Sequence, residues 1–301
     1  MDGRKRPKLG LALGSGGARG WCHIGVLREL EDMGLSPDVV AASSMGALVG
    51  AFYAGNALDA LEDWAMKLTT LDFLGMLDVD LSSGGLVEGT EILNVIRKHL
   101  KDATIEELSV PLALVATDMT SGREVWMTRG NLAEAVRASV ALPGVISPFR
   151  IGDVWYLDGG LTSPLPTTAC RILGAEVVIA ANPNGRLNGT FWADREPASQ
   201  EAGSTWLDRI PNMPAPLAQF LENKRDRAPK PQYLEVLAVS IDIMTDGIRR
   251  AKLAGDPPHV LLDAHLQDLS VLDFHRATDA IAEGRRIVRE NADAIARSAR
   301  L

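Results

Sequence analysis

Short apolar runs alternate along the chain with longer stretches in which apolar positions recur every three or four residues. The short runs have the length and β-branched content of buried strands, and the longer stretches have the period of an amphipathic helix. The predicted strands are Leu9–Leu13, Val39–Ala42, Leu112–Thr117, Val154–Leu157, Glu176–Ala181 and Pro258–Leu262, with a hairpin return at Glu124–Thr128. The predicted helices are Ala18–Met33, Met45–Tyr53, Leu58–Leu68, Thr90–Leu100, Leu132–Ser139, Thr167–Leu173, most of Pro216–Leu253, and Asp273–Ala299.

This alternation predicts an α/β fold in which a mostly parallel central sheet carries helices on both faces. Residues 1–8 form a basic leader, and residues 9–301 are expected to form one domain. Residues 183–216 are polar and contain proline and glycine, which predicts a lid or an insertion. The domain is expected to resume after it, because Val260–Leu262 again has the pattern of a buried strand.

Composition narrows the class of protein. The chain has 301 residues, of which 46% are hydrophobic, and this is enough for a large core. A net charge of -8 gives no support to a nucleic-acid partner. Cys22 and Cys170 are the only cysteines and do not form a disulfide framework, so a reducing, cytoplasmic location is expected. No apolar run reaches the length of a membrane span, and the basic leader leaves peripheral contact with a membrane surface open.

The sequence Ala42-Ser43-Ser44-Met45-Gly46 joins a predicted strand directly to a predicted helix. A serine at such a turn exposes its hydroxyl above the sheet, next to a helix N-terminus that stabilises negative charge. Ser44 is therefore a candidate nucleophile. The usual pattern is Gly-x-Ser-x-Gly, and Ala42 replaces its first glycine. A plain helix N-cap is the alternative interpretation of Ser44.

A glycine-rich turn, Gly14-Ser15-Gly16-Gly17-Ala18-Arg19-Gly20, follows the first strand. Glycines let backbone N–H groups converge on one anion, which suits either a phosphate or an oxyanion. Arg19 stands where the dinucleotide-binding pattern requires glycine, and the Gly-Lys-Ser/Thr of a P-loop is absent. An oxyanion hole for acyl transfer is therefore the better fit, with a nucleotide- or phosphate-binding loop as the alternative.

Asp158, in Leu157-Asp158-Gly159-Gly160, ends a predicted strand and is the candidate base for Ser44. As a lone Asp-Gly pair it would indicate only a turn. A histidine base is the commoner arrangement, and His265, which follows the last predicted strand, is the rival. The positions of histidine, cysteine and aspartate do not suggest a metal site, and we expect no cofactor.

Taken together in this order, the glycine turn, the serine turn and Asp158-Gly159-Gly160 resemble the patatin-like phospholipase family, especially its bacterial single-domain members. The resemblance runs from about Leu9 to Asn182 and resumes from Pro258 to Ile287. The segment from Arg137-Ala138-Ser139 to Pro143-Gly144 also resembles a family segment that shapes the site.

The resemblance implies a three-layer α/β/α fold and a Ser-Asp dyad of Ser44 and Asp158, without a catalytic histidine. It implies an oxyanion hole formed by Gly16, Gly17, Ala18 and Arg19, in which Gly16 and Gly17 supply the backbone donors. The implied substrates are lipid acyl esters: phospholipids, lysophospholipids or neutral esters. A catalytically weak, lipid-binding member of the family is the remaining alternative.

Overall fold

A computed structural model describes residues 6–69, 88–185 and 233–300 of the chain. Its strands are β1 (Leu9–Leu13), β2 (Val39–Ser43), β3 (Leu112–Asp118), β4 (Glu124–Met127), β5 (Phe149–Ile151), β6 (Val154–Asp158), β7 (Val177–Asn182) and β8 (Val260–Asp263). Its α-helices are α1 (Cys22–Asp32), α2 (Met45–Ala54), α3 (Leu58–Lys67), α4 (Thr90–Leu100), α5 (Leu132–Ser139), α6 (Thr167–Ile172), α7 (Tyr233–Gly255), α8 (Ala277–Glu290) and α9 (Ala292–Ala299). Short 3₁₀ turns lie at Gly17–Trp21, Ile105–Glu107, Gly159–Leu161 and Phe274–Arg276.

The sheet has the order β5-β6-β3-β2-β1-β7-β8, and β4 also pairs with β3. The five strands from β3 to β8 in this order are parallel. Strands β4 and β6 each pair antiparallel with β3, on opposite edges of it, and β5 pairs antiparallel with β6. The prediction of an α/β fold with a mostly parallel sheet is therefore confirmed.

Strand β1 shows how the two faces of the sheet differ. Leu9, Leu11 and Leu13 point into the larger core, which packs against α1, α2, α5 and α8. Gly10 and Ala12 point to the other face, where a Cβ at Gly10 would come within 3.1 Å of the Cys170 Cβ in α6 and within 2.6 Å of the Ala175 Cβ just after it. Alternating large and small residues thus place helices on both faces, as predicted.

The C-terminal helix departs from the prediction. The pattern over Asp273–Ala299 predicts one continuous helix, whereas the structure has two, α8 and α9, with Asn291 between them. The Asn291 side chain donates to the carbonyl of Ile287 at 2.8 Å, and an asparagine that bonds locally to the backbone competes with helix continuation. Strand β5 was not predicted, since three residues are too few to show an alternating pattern.

Some predictions fall on residues outside the described ranges. They include the start of the leader (1–5), most of the proposed lid or insertion (186–216), and the predicted helix before Tyr233. Of the leader, Arg6 pairs with Asp38, and the Lys8 amide donates to Glu176. In the described portion of the chain, no helix is both long and apolar enough to cross a membrane.

Candidate active site

Ser44 lies at the turn between β2 and α2 in a backbone conformation that is rare for an L-residue, with φ 56° and ψ -123°. Strain of this kind costs about 1–3 kcal/mol and persists only where the surrounding structure enforces it. Although Ser44 occupies the N-cap position of α2, its side chain makes no capping hydrogen bond. The N-cap interpretation is therefore wrong, and the hydroxyl is directed elsewhere.

The residues on either side of Ser44 explain how the turn fits. A Cβ at Gly46 would overlap the carbonyl oxygen of Leu13, so this position admits only glycine. Ala42 is buried, and the methyl group that it adds to the usual pattern packs against α2 at Gly50, where a Cβ would come within 3.2 Å of it. The departure from Gly-x-Ser-x-Gly is thus accommodated by a glycine one turn into the helix.

The Ser44 hydroxyl donates to Asp158 Oδ2 at 2.5 Å. The other carboxylate oxygen of Asp158, Oδ1, accepts from the Gly160 amide at 2.7 Å. Both side chains are buried, with 8% of Ser44 and 2% of Asp158 exposed. The structure therefore brings together the two residues that the sequence proposed as nucleophile and base.

Burial also sets the proton affinity of Asp158. Loss of hydration raises the pKa of its carboxyl from 3.8 to about 6, although the hydrogen bonds from Ser44 and Gly160 act in the opposite direction. A carboxylate with a pKa near 6 is ionised at neutral pH and is a stronger base than an exposed aspartate.

Strand register explains why Ser44 and Asp158 meet. Ser43, the last residue of β2, pairs with Val115 of β3, and Asp158, the last residue of β6, pairs with the next residue, Ala116. Strand β4 occupies the other edge of β3, so β2 and β6 lie end to end along one edge. Because β6 is antiparallel to β2, their carboxyl ends face each other at this point.

Ser139, at the end of α5, supports Ser44, the candidate nucleophile. Its Oγ accepts the backbone N–H of Ser44 at 2.9 Å and donates to the carbonyl of Val115. Ser139 is fully buried, and the two bonds tie the strained turn to the middle of the sheet. The sequence pointed to this segment only through the family resemblance of Arg137-Ala138-Ser139, and its role in holding Ser44 was not predicted.

The four predicted oxyanion-hole residues separate into two pairs. The backbone N–H groups of Gly16 and Gly17 have no hydrogen-bond acceptor among the residues that the structure describes. In contrast, the Ala18 N–H donates to Val271 O at 2.9 Å, and the Arg19 N–H donates to Gly16 O at 3.2 Å. Of the four predicted residues, Ala18 and Arg19 therefore use their amides within the fold, and the amides of Gly16 and Gly17, the two predicted donors, remain available.

The side chain of Arg19 holds the glycine turn in place. It is buried, and its guanidinium donates to Leu269 O at 2.8 Å and to Asn184 Oδ1 and Asp242 Oδ2, each at 3.0 Å. Asp242 belongs to α7, and burial raises the pKa of its carboxyl. Asp242 was not predicted as a site residue, because nothing in its local sequence pattern distinguishes it from a solvated helix residue.

These groups line one cleft. Its wall combines the Ser44–Asp158 pair and the glycine turn with residues of α7 and with apolar side chains, namely Leu142, Leu161, Ala238, Ile241 and Val271. Two carboxylates, Asp158 and Asp242, face this space, and they disfavour a phosphate ligand there. The cleft therefore suits a largely apolar substrate better than an anionic nucleotide.

Histidine is absent from the described residues that line the cleft. His265, the rival base, lies in the segment after β8, where its backbone N–H donates to Glu283. His23 lies beneath the glycine turn, and its Nε2 is 2.8 Å from the carbonyl oxygen of Gly14. Burial lowers the pKa of His23 to about 4, so its ring is neutral and suited to donating that bond.

Comparison with known proteins identifies similar sequences over the whole chain. The Patatin-like phospholipase family model matches residues 11–171. An NTE family protein of Mycobacterium tuberculosis (strain ATCC 25618 / H37Rv) is 34% identical over 337 aligned residues, which cover 98% of this chain and 94% of the relative.

Other relatives are much longer proteins and align over a shorter region. Neuropathy target esterase sws of Drosophila melanogaster is 34% identical over 180 residues, which are 57% of this chain but 12% of that protein. Patatin-like phospholipase domain-containing protein 6 of Homo sapiens is also 34% identical over 180 residues, covering 57% of this chain and 13% of that protein. Among solved structures, VipD from Legionella pneumophila aligns with a TM-score of 0.39 and 14% identity, over 60% of this chain and 50% of its own.

Proposed function

Because this chain belongs to the patatin-like phospholipase family, we propose that it is a lipid acyl-ester hydrolase that works through a Ser-Asp dyad and an acyl-enzyme intermediate. Ser44 is the nucleophile and Asp158 the base. The observation that carries the proposal is the 2.5 Å hydrogen bond from the Ser44 hydroxyl to a buried carboxylate, with no histidine among the described residues of the cleft.

In the acylation step, Ser44 Oγ attacks the carbonyl carbon of the ester while its proton passes to Asp158 Oδ2. The carbonyl oxygen becomes an oxyanion, and the free N–H groups of Gly16 and Gly17 stabilise it. When the tetrahedral intermediate breaks down, Asp158 returns the proton to the departing alkoxide. The alcohol leaves, and the acyl group stays on Ser44.

In the deacylation step, a water molecule attacks the acyl carbon and gives a proton to Asp158. The second tetrahedral intermediate uses the same two glycine amides, and its collapse expels Ser44 Oγ, which takes the proton back. The products are a carboxylic acid and the free enzyme. One carboxylate thus serves both half-reactions, which requires it to be ionised in the resting enzyme.

The substrates that fit this cleft are lipid acyl esters: phospholipids, lysophospholipids or neutral esters. The acyl chain would lie against the apolar side chains of the cleft, and contact with a membrane would be peripheral. The sequence similarity to esterases and phospholipase-domain proteins supports a lipid substrate in general.

A fluorophosphonate probe tests the nucleophile directly, since it reacts with an activated serine and reports its position by peptide mass. We expect labelling of Ser44, and none in Ser44→Ala. The matched control is Ser43→Ala, because the Ser43 hydroxyl is buried without a hydrogen-bond partner and does not line the cleft. Labelling that persists in Ser44→Ala, or that is lost in Ser43→Ala alone, would overturn the assignment.

A further inference from the structure

Part of helix α7 exposes apolar side chains and buries charged ones, which is the reverse of an ordinary surface helix. Surface helices bury their apolar side chains and expose their charged ones. Between residues 236 and 247 of α7, the exposed large side chains are apolar: Val236, Ile243 and Met244 are 48%, 49% and 55% exposed. Charged residues in this stretch, Asp242 and Asp246, point inward instead.

The two carboxylates on the inward face of α7 are paired with arginines. Asp242 is held by Arg19 of the glycine turn, and Asp246 pairs with Arg249 and Arg250 of α7 itself. The same inward face supplies Ala238, Ile241, Asp242 and Thr245 to the wall of the cleft. One side of the helix therefore belongs to the catalytic cleft, and the other exposes apolar side chains to the outside.

We infer that the outer face of α7, formed by Val236, Ile243 and Met244, docks on a lipid surface from which the enzyme takes its substrate. This inference rests on the proposed function. It goes further by assigning the membrane contact to one helix, which is also the helix that walls the cleft. A contiguous patch of exposed apolar side chains marks an interaction site. A helix that lies flat on a bilayer buries such a face among the lipid chains.

Two observations favour lipid over a second protein chain. Three half-exposed side chains form a patch far smaller than the ~800 Å² per partner of a standard protein–protein interface. In addition, the side chain of Arg250 is exposed, although it pairs with Asp246, and it lies two turns after Ile243 on the same face of the helix, where its charge would meet lipid head groups. An apolar stretch bordered by a cation matches the boundary between acyl chains and head groups.

Vesicle flotation tests the inference without requiring catalysis. Full-length Ser44→Ala protein is mixed with vesicles of phosphatidylcholine and phosphatidylglycerol, and the bound fraction is measured. Ile243→Glu/Met244→Glu in this background should reduce the partition coefficient by about tenfold or more, because both carboxylates would have to enter the apolar layer. The milder Ile243→Ser/Met244→Ser variant should give an intermediate loss of flotation. If the glutamate variant fails to fold, the serine variant provides the test.

The matched control is Ile172→Glu. Ile172 is 62% exposed, but it lies at the end of α6, next to the turn whose Gly174 neighbours Lys8 at the amino-terminal edge of the sheet. It should float like the parent. In the active background, the α7 variants should hydrolyse a soluble short-chain ester at the parental rate and lose activity only on vesicles.

Several results would overturn the inference. One such result is that the Ser44→Ala parent does not float. The others are that the α7 variants float as well as the parent, or that Ile172→Glu loses as much flotation as they do. A dimer that disappears in the α7 variants on size-exclusion chromatography would identify a second copy of the chain as the occupant. Failure of the proposed function is distinguishable, because it would appear as absence of ester turnover and of probe labelling while flotation persists.

Discussion

The hydroxyl of Ser44 donates at 2.5 Å to the carboxylate of Asp158, a residue 114 positions further along the chain. The bond connects a serine in a strained backbone conformation to a carboxyl group whose pKa is raised by burial, and these are the proposed nucleophile and base. Nothing local to either residue creates this pair. It exists because two strands end at consecutive positions of the same edge of β3.

The hydrolysis rate should depend on the ionisation of Asp158. Because burial raises its pKa to about 6, we expect kcat/KM on a soluble ester to fall about tenfold for each pH unit below 6 and to level off above about 7. Initial rates in buffers of constant ionic strength measure this profile. A rate that stays constant down to about pH 4 would show that Asp158 is not the base.

Asp158→Asn should abolish turnover and stabilise the fold at neutral pH. The folded-state pKa lies above the unfolded value of 3.8, so the stability of the wild type falls as the pH rises from about 4 to about 6. At pH values above about 6, a pKa raised to about 6 lowers the free energy of unfolding by roughly 3 kcal/mol. The uncharged amide of asparagine does not have this cost. Weaker hydrogen bonds from Ser44 and Gly160 to the amide offset part of this gain.

Urea unfolding of wild type and Asp158→Asn at about pH 4 and pH 8 measures the effect. The variant should gain stability relative to wild type at the higher pH and gain little at the lower one. An equal difference at both values, or retained turnover, would contradict the role assigned to the carboxylate.

Ser139→Ala should lower kcat more than it changes KM. The substitution leaves the Ser44 N–H and the Val115 carbonyl without their shared hydroxyl partner, which costs about 1–3 kcal/mol of stability and loosens the turn that presents Oγ. We expect kcat to fall by about 10- to 100-fold. The rate of fluorophosphonate labelling should fall in parallel, since it reports nucleophile geometry without substrate binding.

Ser43→Ala serves as the control for this experiment. It removes a neighbouring buried hydroxyl that has no partner, so stability should stay equal or rise slightly, and kcat should not change. If both alanine variants lowered kcat equally, a specific contribution of Ser139 would be excluded.

Gly17→Ala should reduce activity by displacing the oxyanion donor. Gly17 has φ +54°, and an added Cβ would overlap the carbonyl oxygen of Val271, so the turn must move. Loss of one oxyanion donor typically costs about 3–4 kcal/mol of transition-state stabilisation, a fall in kcat of about 10²- to 10³-fold.

Gly122→Ala is the matched comparison. It carries the same left-handed strain at φ +66°, but a Cβ there meets no atom within 4 Å, and Gly122 does not line the cleft. Gly122→Ala should lose about 1 kcal/mol of stability by thermal unfolding from the left-handed backbone alone, and Gly17→Ala should lose more because of its overlap with Val271. Only Gly17→Ala should lose activity, and an equal activity in the two would remove Gly17 from the oxyanion hole.

Much of the fold could be predicted because strands and helices follow from local periodicity. Apolar runs such as Leu112–Thr117 and Glu176–Ala181 correspond to observed strands within a residue or two. The break at Asn291 was missed, because one asparagine within a strong helical pattern does not by itself stop a helix. The family resemblance, which rested on three short motifs, is confirmed by the match of residues 11–171.

The sequence by itself determined the chemical groups: a serine at a strand-to-helix turn, glycines that leave amides bare, and an aspartate at a strand end. These are local properties, fixed by residue type and spacing. The tertiary structure decided which groups act together. Pairing with β3 brought Asp158 to Ser44, and the amides of Ala18 and Arg19 bond to Val271 and Gly16, which leaves those of Gly16 and Gly17 as the proposed oxyanion donors. It also turned Asp242 and Asp246 of α7 inward, because burial and pairing depend on contacts between distant segments.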